Sequence, residues 1–383
     1  MSISGIRKRI GAPQIAALLL LVVFLAQCLW FSANVPLSVI EANYVEAGLL
    51  HLEHLSSAGT SERSPLVPLL AGLAARISGA ESHYARLVNY RFWIRLPFLF
   101  AGLLLAASVW YVARRLYGNI GGYVALGLYC FSPLMVGWAS QVGPEIVGAW
   151  GAFGLIFTSI AVAHTLYAPR EVVLWNWRRI LLMGLSMAIC VGAQFSLWIL
   201  LVPALAFMLW IGNVRRAAAL AIFAAACLTG LMLLLALYGF RPRLFGQALV
   251  AANWLEISSR SFSWHTIAPL LATFFLQNGL GLVLLLAITL VTFAVWKRSR
   301  FFGTAAPLFT SVLLVALALR LHFAGFTFLF VALPFLILFM AGVSSDLLQG
   351  RHALLANAVI FGVLMANAII DIFSLLHLSS RSG

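Results

Sequence analysis

The sequence predicts an all-α polytopic membrane protein with about eleven transmembrane helices and its N-terminus inside. The chain of 383 residues is 63% hydrophobic and 9% charged, whereas a soluble domain carries about 25% charged residues. Its apolar runs are repeatedly 18 residues or longer, the length that crosses a hydrocarbon core of about 30 Å. The runs are continuous and do not alternate, which argues against a β-barrel.

A single transmembrane domain is expected to occupy residues 1–383. Its predicted outer loops are 35–95, with interfacial helices, and 239–266, and no soluble domain is expected after the last span. The fifth and sixth predicted spans meet near Gln194 and form either a helical hairpin or one broken helix. The predicted spans are 13–34, 96–113, 120–140, 144–167, 180–195, 196–212, 217–238, 267–295, 303–320, 323–343 and 353–376.

The charges of the chain indicate which side each loop occupies. The net charge is +14, but the basic residues form short clusters at the ends of apolar runs, as topology signals do, and they can also hold anionic lipid headgroups. Nothing in this distribution supports a nucleic-acid partner. Threading places most Lys and Arg inside and most acids outside. We therefore expect a multi-pass protein of the plasma membrane (bacterial inner membrane) whose chemistry faces the outer compartment.

Glu41 is the first candidate for that chemistry. Residues 41–55 have the pattern of an interfacial helix, with Glu41 on the apolar face beside Val45, and with Glu46 and Glu53 on the solvated face. A carboxylate on a membrane-facing surface is costly unless it is paired, which indicates function. Alternatively, Glu41 is a helix N-terminal charge favoured by the macrodipole.

Glu145 is the second candidate. It follows Pro144 at the start of the fourth predicted span, where the helix dipole alone could also explain an acid. Two acids that converge from different outer loops could bind a divalent metal ion, or one of them could act as a general base.

Cations in the outer loops are candidates for holding a phosphate. Arg63 precedes the rigid Ser64-Pro65 segment, and arginine matches phosphate oxygens bidentately. Each of these residues is alternatively an interfacial side chain whose charged end reaches the headgroups. The further candidates are Arg91, Arg241, Arg243, His265, Arg320 and His322.

Several motifs resemble the GT-C fold membrane glycosyltransferases, in the branch of the bacterial protein O-mannosyltransferase-like proteins and the lipid A aminoarabinose transferases. The resemblance covers residues 10–350. It rests on the acidic motif after the first span, the basic-proline element, the second span with its basic inner end, the second acidic motif and a late span. These are Glu41-Ala-Asn-Tyr44, Arg63-Ser-Pro65-Leu, 95–118, 131–145 and 322–334.

The resemblance implies transfer of a sugar from a polyprenyl-phosphate donor to an acceptor on the outer face. On that analogy Glu41 is the base or orients the acceptor, and Glu145 supports it or binds a metal. Glu62 would assist the metal, and Arg63 would hold the donor phosphate.

The chain also departs from the family pattern. Ile40-Glu41 replaces an Asp-Glu pair, Glu145 replaces an aspartate, Gln194 replaces a common lysine, and no Arg-Tyr follows His322. These departures favour an alternative, a non-catalytic GT-C-like subunit or scaffold with partner membrane subunits. A transporter ranks last, because the positions in the middle of the predicted spans are apolar apart from amides.

Overall fold

The computed structural model describes residues 12–53, 64–79, 88–167, 177–251, 268–269, 272, 274, 280–296, 302–320, 325–350 and 353–382. These residues are almost entirely helical and include no β-strand. Within them, six helices are long and apolar enough to cross a membrane, and shorter apolar helices accompany them. The predicted all-α polytopic membrane fold is therefore confirmed.

The helices follow one another with short connections. A 3-10 turn precedes α4, and two others lie at Phe195–Leu200 and Asn213–Arg215. In chain order the helices are α1 (Ala12–Asn34), α2 (Val39–Glu53), α3 (Leu66–Ser78), α4 (Arg91–Cys130), α5 (Pro133–Ala139), α6 (Pro144–Thr165), α7 (Trp177–Ala193), α8 (Leu201–Ile211), α9 (Arg216–Leu237), α10 (Pro242–Ala251), α11 (Leu280–Val295), α12 (Phe302–Arg320), α13 (Gly325–Leu348) and α14 (Ala353–Ser382).

Helix α4 is a hairpin of two helical segments that meet at Gly118. The backbone there has φ 78° and ψ −172°, a region that only glycine enters without strain. The second segment runs back along the first, as the hydrogen bond of 2.9 Å from the Tyr129 hydroxyl to the Gly102 carbonyl shows. Gly122 likewise packs on Trp110 and Arg114. The two spans predicted at 96–113 and 120–140 correspond to these two segments.

Other boundaries differ from the prediction. The span expected at 120–140 breaks at Phe131 and Ser132, because Ser132 accepts a hydrogen bond from the Met135 amide and Pro133 starts a new helix. The loop expected at 239–266 contains α10, which was not predicted. Helix α14 continues to Ser382, beyond the expected end at residue 376.

The helices differ in how much of their side-chain surface is buried, with one central helix and several that are exposed on one side. Helix α13 is buried along residues 327–345, packed on α4, α6 and α12. By contrast, α1, α9 and α14 expose large apolar side chains such as Leu18, Leu228 and Phe361. An apolar surface of this extent fits contact with lipid tails, which solvate such side chains as well as a protein interior does.

Helices α2 and α3 pack backbone against backbone. A Cβ at Gly48 would overlap the Pro68 carbonyl, and one at Gly72 would overlap the Gly48 backbone. This close approach requires glycine on both helices. The contact holds α2 against α3. From this position α2 also contacts α4, the turn before α6 and the end of α9.

Candidate functional site

Glu41 lies at the first end of α2 in a buried ion pair with Arg95 of α4. Arg95 Nε donates to Glu41 Oε1 at 2.9 Å and Nη2 donates to Oε2 at 2.8 Å, a bidentate arrangement. Arg95 is 0% exposed and Glu41 is 2% exposed. The Ser38 amide donates to Glu41 Oε2 at 2.8 Å, and the Glu41 amide donates to Ser38 Oγ at 3.2 Å. These two hydrogen bonds form a capping box at the start of α2.

The same glutamate holds the turn before α6. Glu41 Oε1 accepts a hydrogen bond of 3.0 Å from the Val142 amide. Within the described residues, both Glu41 oxygens are therefore occupied by donors. A carboxylate held by this many donors is fixed in position, which suits an anchoring group.

Arg95 also joins α4 to the end of α1. Its Nη1 donates to the Val35 carbonyl at 2.8 Å and to the Ser32 carbonyl at 3.3 Å, and its Nη2 donates to the Pro36 carbonyl at 3.0 Å. The guanidinium thus satisfies carbonyls at the C-terminal end of α1, where a cation is also favoured by the helix dipole.

The second end of α2 contacts the end of α9. His51 Nε2 lies 3.0 Å from the Leu237 carbonyl, and its ring packs edge-on against Tyr238 with centroids 6.0 Å apart. Tyr238 packs on Phe245 of α10, and Phe245 packs on Phe195. Helix α2 therefore connects the region of Arg95 with the region where α7 ends.

Glu145 lies in the first turn of α6 and is 9% exposed. Its Oε2 has no hydrogen-bond partner among the described residues. A Cβ at Gly143 would overlap this oxygen, so the carboxylate folds back over the turn that precedes α6. Because a buried polar atom without a hydrogen-bond partner costs free energy, the Glu145 carboxylate is placed to receive a ligand.

The two predicted glutamates lie near each other. Glu41 Oε1 touches the Val142 amide and Glu145 Oε2 touches Gly143, the next residue. From standard backbone dimensions, the two oxygens are separated by no more than about 12 Å. The structure therefore brings both acids to one end of the bundle, one anchored and one with an unoccupied oxygen.

A break between α7 and α8 adds polar groups to this end. Gln194 is extended, with φ −154° and ψ 121°, and a 3-10 turn follows it. The Phe195 amide donates to Ser64 Oγ at 2.6 Å, which ties the start of α3 to the break. Gln194 Oε1 and Ser196 Oγ are buried atoms without a hydrogen-bond partner in the described part of the chain. The predicted division of the fifth and sixth spans near Gln194 is confirmed.

The predicted cations have different outcomes. Arg91 Nη2 donates to the Ala33 carbonyl. Arg241 and Arg243 flank Pro242, the first residue of α10, and both are exposed. Arg63, His265 and His322 lie outside the described residues, as does the side chain of Arg320, the last residue of α12. Phosphate binding by these residues stays a prediction.

The predicted metal site also stays a prediction, because Glu62 lies outside the described residues. Within the described ranges, no group of three or more His, Cys, Asp and Glu side chains is arranged to hold a metal ion. Glu145 contributes one unoccupied oxygen and Glu41 has both oxygens occupied, so these two residues do not by themselves fit a divalent ion.

The sequence analysis missed two features of the site, the pairing of Arg95 with Glu41 and the role of Ser196. The pairing had a signal, because an arginine at the start of an apolar run needs a carboxylate when it is buried. The spacing Ser38-x-x-Glu41 also fits a capping box and could have indicated the start of α2. Ser196 carried no sequence signal, because a serine in an apolar segment is common.

Comparison with known proteins identifies the fold. No family model matches the sequence, and no curated protein matches it. The structure is similar to ArnT from Cupriavidus metallidurans in the apo state, with a TM-score of 0.63 and 13% identity over 97% of this chain and 77% of that one. It is similar to the same protein bound to undecaprenyl phosphate, with a TM-score of 0.62 and 14% identity over the same shares of the two chains.

An archaeal protein has the same architecture. The oligosaccharyltransferase AglB from Archaeoglobus fulgidus, in complex with an inhibitory peptide and a dolichol-phosphate, matches with a TM-score of 0.53 and 13% identity. The match covers 96% of this chain and 56% of that one, so this chain spans about half of the length of AglB. At these identities the similarity concerns the fold. The chain has a GT-C-like fold, as its motifs predicted.

Proposed function

We propose that this chain is an integral-membrane glycosyltransferase that transfers a sugar from a polyprenyl-phosphate donor to an acceptor, at the end of the bundle where α2 lies. The observation that carries the proposal is the buried Glu145 carboxylate with an unoccupied oxygen, at the start of α6 and beside the anchored Glu41. The GT-C-like fold supports it, since the neighbouring structures hold undecaprenyl phosphate or dolichol-phosphate.

The reaction is a displacement at the anomeric carbon. Glu145 accepts the proton of the acceptor hydroxyl or amine as the acceptor atom bonds to the anomeric carbon. The bond from that carbon to the phosphate oxygen breaks, and the polyprenyl phosphate leaves with the electron pair. The sequence predicted Glu41 as this base. That assignment remains a prediction, and the occupied oxygens of Glu41 favour Glu145.

Cations are required where the phosphate leaves. Arg241 and Arg243 are exposed at the start of α10, and this helix contacts the Gln194–Ser196 break through Phe245. A helix N-terminus with two guanidinium groups favours an anion. We assign the departing phosphate to this end of α10, and the active side to the outer compartment of a bacterial inner membrane.

The test uses the full chain in lipid nanodiscs, supplied with undecaprenyl phosphate mannose or undecaprenyl phosphate aminoarabinose carrying a labelled sugar. Solubilised cell-envelope lipids and proteins are added as the pool of hydroxyl- and amine-bearing acceptors. We expect release of undecaprenyl phosphate, and a loss of about 100-fold or more in Glu145→Gln, the usual worth of a general base. Glu53→Gln is the matched control, because Glu53 is exposed at the other end of α2. Absence of turnover with both donors, or full activity of Glu145→Gln, would refute the proposal.

A second candidate function is a non-catalytic subunit that retains the fold. It is favoured by Glu41, whose occupied oxygens resemble a structural pair rather than a catalytic acid. A partner membrane protein that purifies with the chain in fixed ratio, together with an inactive wild type, would select this alternative.

A further inference from the structure

The contacts between α6 and α7 bring the α7–α8 break close to the first turn of α6, where Glu145 lies. The two helices run antiparallel with glycine on α6 at each contact. A Cβ at Gly154 would lie 2.6 Å from Ser186 Oγ, and one at Gly151 would overlap the Cys190 backbone. One turn further, a Cβ at Gly148 would lie 3.7 Å from Ala193 Cβ.

The residues after the end of α7 also contact the first turns of α6. Gly148 also faces Leu197, whose Cδ1 would lie 2.8 Å from an added Cβ. Residues three apart on a helix share a face, so Glu145 lies on the side of α6 that faces this break. Gly148 thus contacts residues on both sides of the break, Ala193 and Leu197, so Gln194 and Ser196 lie within about one helical turn of Glu145.

Three oxygens near this position lack a partner among the described residues. They are Glu145 Oε2, Gln194 Oε1 and Ser196 Oγ, and Ser196 is 6% exposed. The carboxylate and the amide oxygen are acceptors only, and the hydroxyl can accept or donate. The atoms therefore need a ligand that donates hydrogen bonds, and the ionised form of Glu145, which acts as the base in the proposed function, disfavours a phosphate in the same place.

The two described arginines of α4 at this end do not change this chemistry, and Arg241 and Arg243 are exposed at the start of α10, where the phosphate is assigned. Arg95 is committed to Glu41 and to backbone carbonyls, and Arg91 donates to the Ala33 carbonyl. The group that enters between α6 and the break is thus neutral or cationic. In a sugar-phosphate lipid, the hydroxyl or amino groups of the sugar meet this requirement and the phosphate does not.

We propose that Ser196 and Gln194, with Glu145, recognise the hydroxyl or amino groups of the donor sugar. This assignment rests on the proposed function, and it names the part of the site that distinguishes a sugar-bearing lipid from the bare lipid phosphate. Gln194 and Ser196 are specificity residues in this arrangement, separate from the proton transfer assigned to Glu145.

The test measures binding to the full chain in nanodiscs by native mass spectrometry, with three probes: undecaprenyl phosphate, undecaprenyl phosphate mannose and undecaprenyl phosphate aminoarabinose. We expect Ser196→Ala and Gln194→Ala each to weaken binding of at least one sugar-bearing probe by roughly 3- to 10-fold, the worth of one hydrogen bond. Binding of undecaprenyl phosphate should change less than about twofold, below the worth of one hydrogen bond.

Two variants are matched controls. Ser186→Ala removes a serine of nearly equal burial from the same α6–α7 seam. Gln27→Ala removes a glutamine of α1 whose Oε1 is likewise buried without a partner in the described structure. Neither should change the binding of any probe. If Ser196→Ala melts at a lower temperature, Gln194→Ala supplies the same readout.

The outcomes separate this inference from the proposed function. Equal loss of all three probes, or no loss of the sugar-bearing ones, would overturn the sugar assignment while the donor class stands. If none of the probes binds the wild type, the proposed function fails and the inference fails with it. A larger effect of Glu145→Gln on the aminoarabinose probe than on the mannose probe would identify the amine as the recognised group.

Discussion

The Val142 amide donates a 3.0 Å hydrogen bond to Glu41 Oε1, across 101 positions of sequence. Through this bond, the ion pair of Glu41 with Arg95 reaches the turn that begins α6. Glu145 lies three residues after Val142, so its position depends on an arginine that belongs to α4. The two acids are therefore coupled although they do not share a ligand.

The first prediction concerns the strength of that anchor. Arg95→Met should destabilise the protein by about 3–5 kcal/mol, because it leaves the Glu41 carboxylate buried without its counter-charge. Arg91→Met removes an arginine of the same helix that donates only to the Ala33 carbonyl among the described contacts, and it should cost far less. Thermal unfolding in detergent measures both.

The double variant Glu41→Gln with Arg95→Met provides the check. It should lower the free energy of unfolding by clearly less than the sum of the decreases in the two single variants, because both partners of the ion pair are then removed together. Strictly additive losses would contradict a direct ion pair.

The second prediction separates the two glutamates by activity. Glu145→Gln should lower the turnover rate with little change in melting temperature, because its Oε2 has no partner in the described structure. Glu41→Gln should lower the melting temperature, because it leaves the buried Arg95 charge uncompensated. If Glu41→Gln instead removed activity while its melting temperature held, and Glu145→Gln stayed within tenfold of wild type, Glu41 would be the base.

The third prediction tests the α2–α3 contact. Gly48→Ala should destabilise the chain by about 1–3 kcal/mol, since an added methyl group overlaps the Pro68 carbonyl and the two helices must separate. Gly137→Ala is the control, because open space surrounds that position. Equal melting temperatures of the two variants would argue against close backbone packing.

The fourth prediction tests the turn inside α4. Gly118→Ala should cost about 1–3 kcal/mol, because a side chain is strained at φ 78° and ψ −172° even though no neighbouring atom is in the way. Gly362→Ala in α14 also enters open space, but without positive φ, and should be tolerated. The measurement is thermal unfolding of both variants, and a neutral Gly118→Ala would contradict the hairpin geometry.

Much of the fold could be predicted from the sequence, because a helix that crosses a lipid bilayer needs an apolar run of about 20 residues. Apolar length predicted α1, α6 and α9 to within about two residues, the usual uncertainty of helix ends. The break at Gln194 was visible because the combined run was too long for one span. Helix α10 was missed, since a short amphipathic helix with flanking arginines resembles a polar loop in composition.

The site was only partly predictable. Glu41 and Glu145 could be selected because an acid in an apolar context is costly. Their different surroundings depend on contacts between distant parts of the chain, such as Arg95 with Glu41 and Gly148 with Ala193. Local patterns do not encode such contacts. Ser196 became notable only because Gly148 contacts both Ala193 and Leu197, which brings the break close to the first turn of α6.

The enclosure of α13 has a consequence for how this chain can vary. Helices α9 and α13 are both strongly apolar, yet α9 faces the bilayer and α13 is surrounded by protein along residues 327–345. Exchange of one aliphatic residue for another should be nearly neutral on α9, where fluid acyl chains adapt to any shape. The same exchange on α13 changes the fit of several helices at once. Related chains should therefore drift freely in side-chain volume along α9 and preserve it along α13.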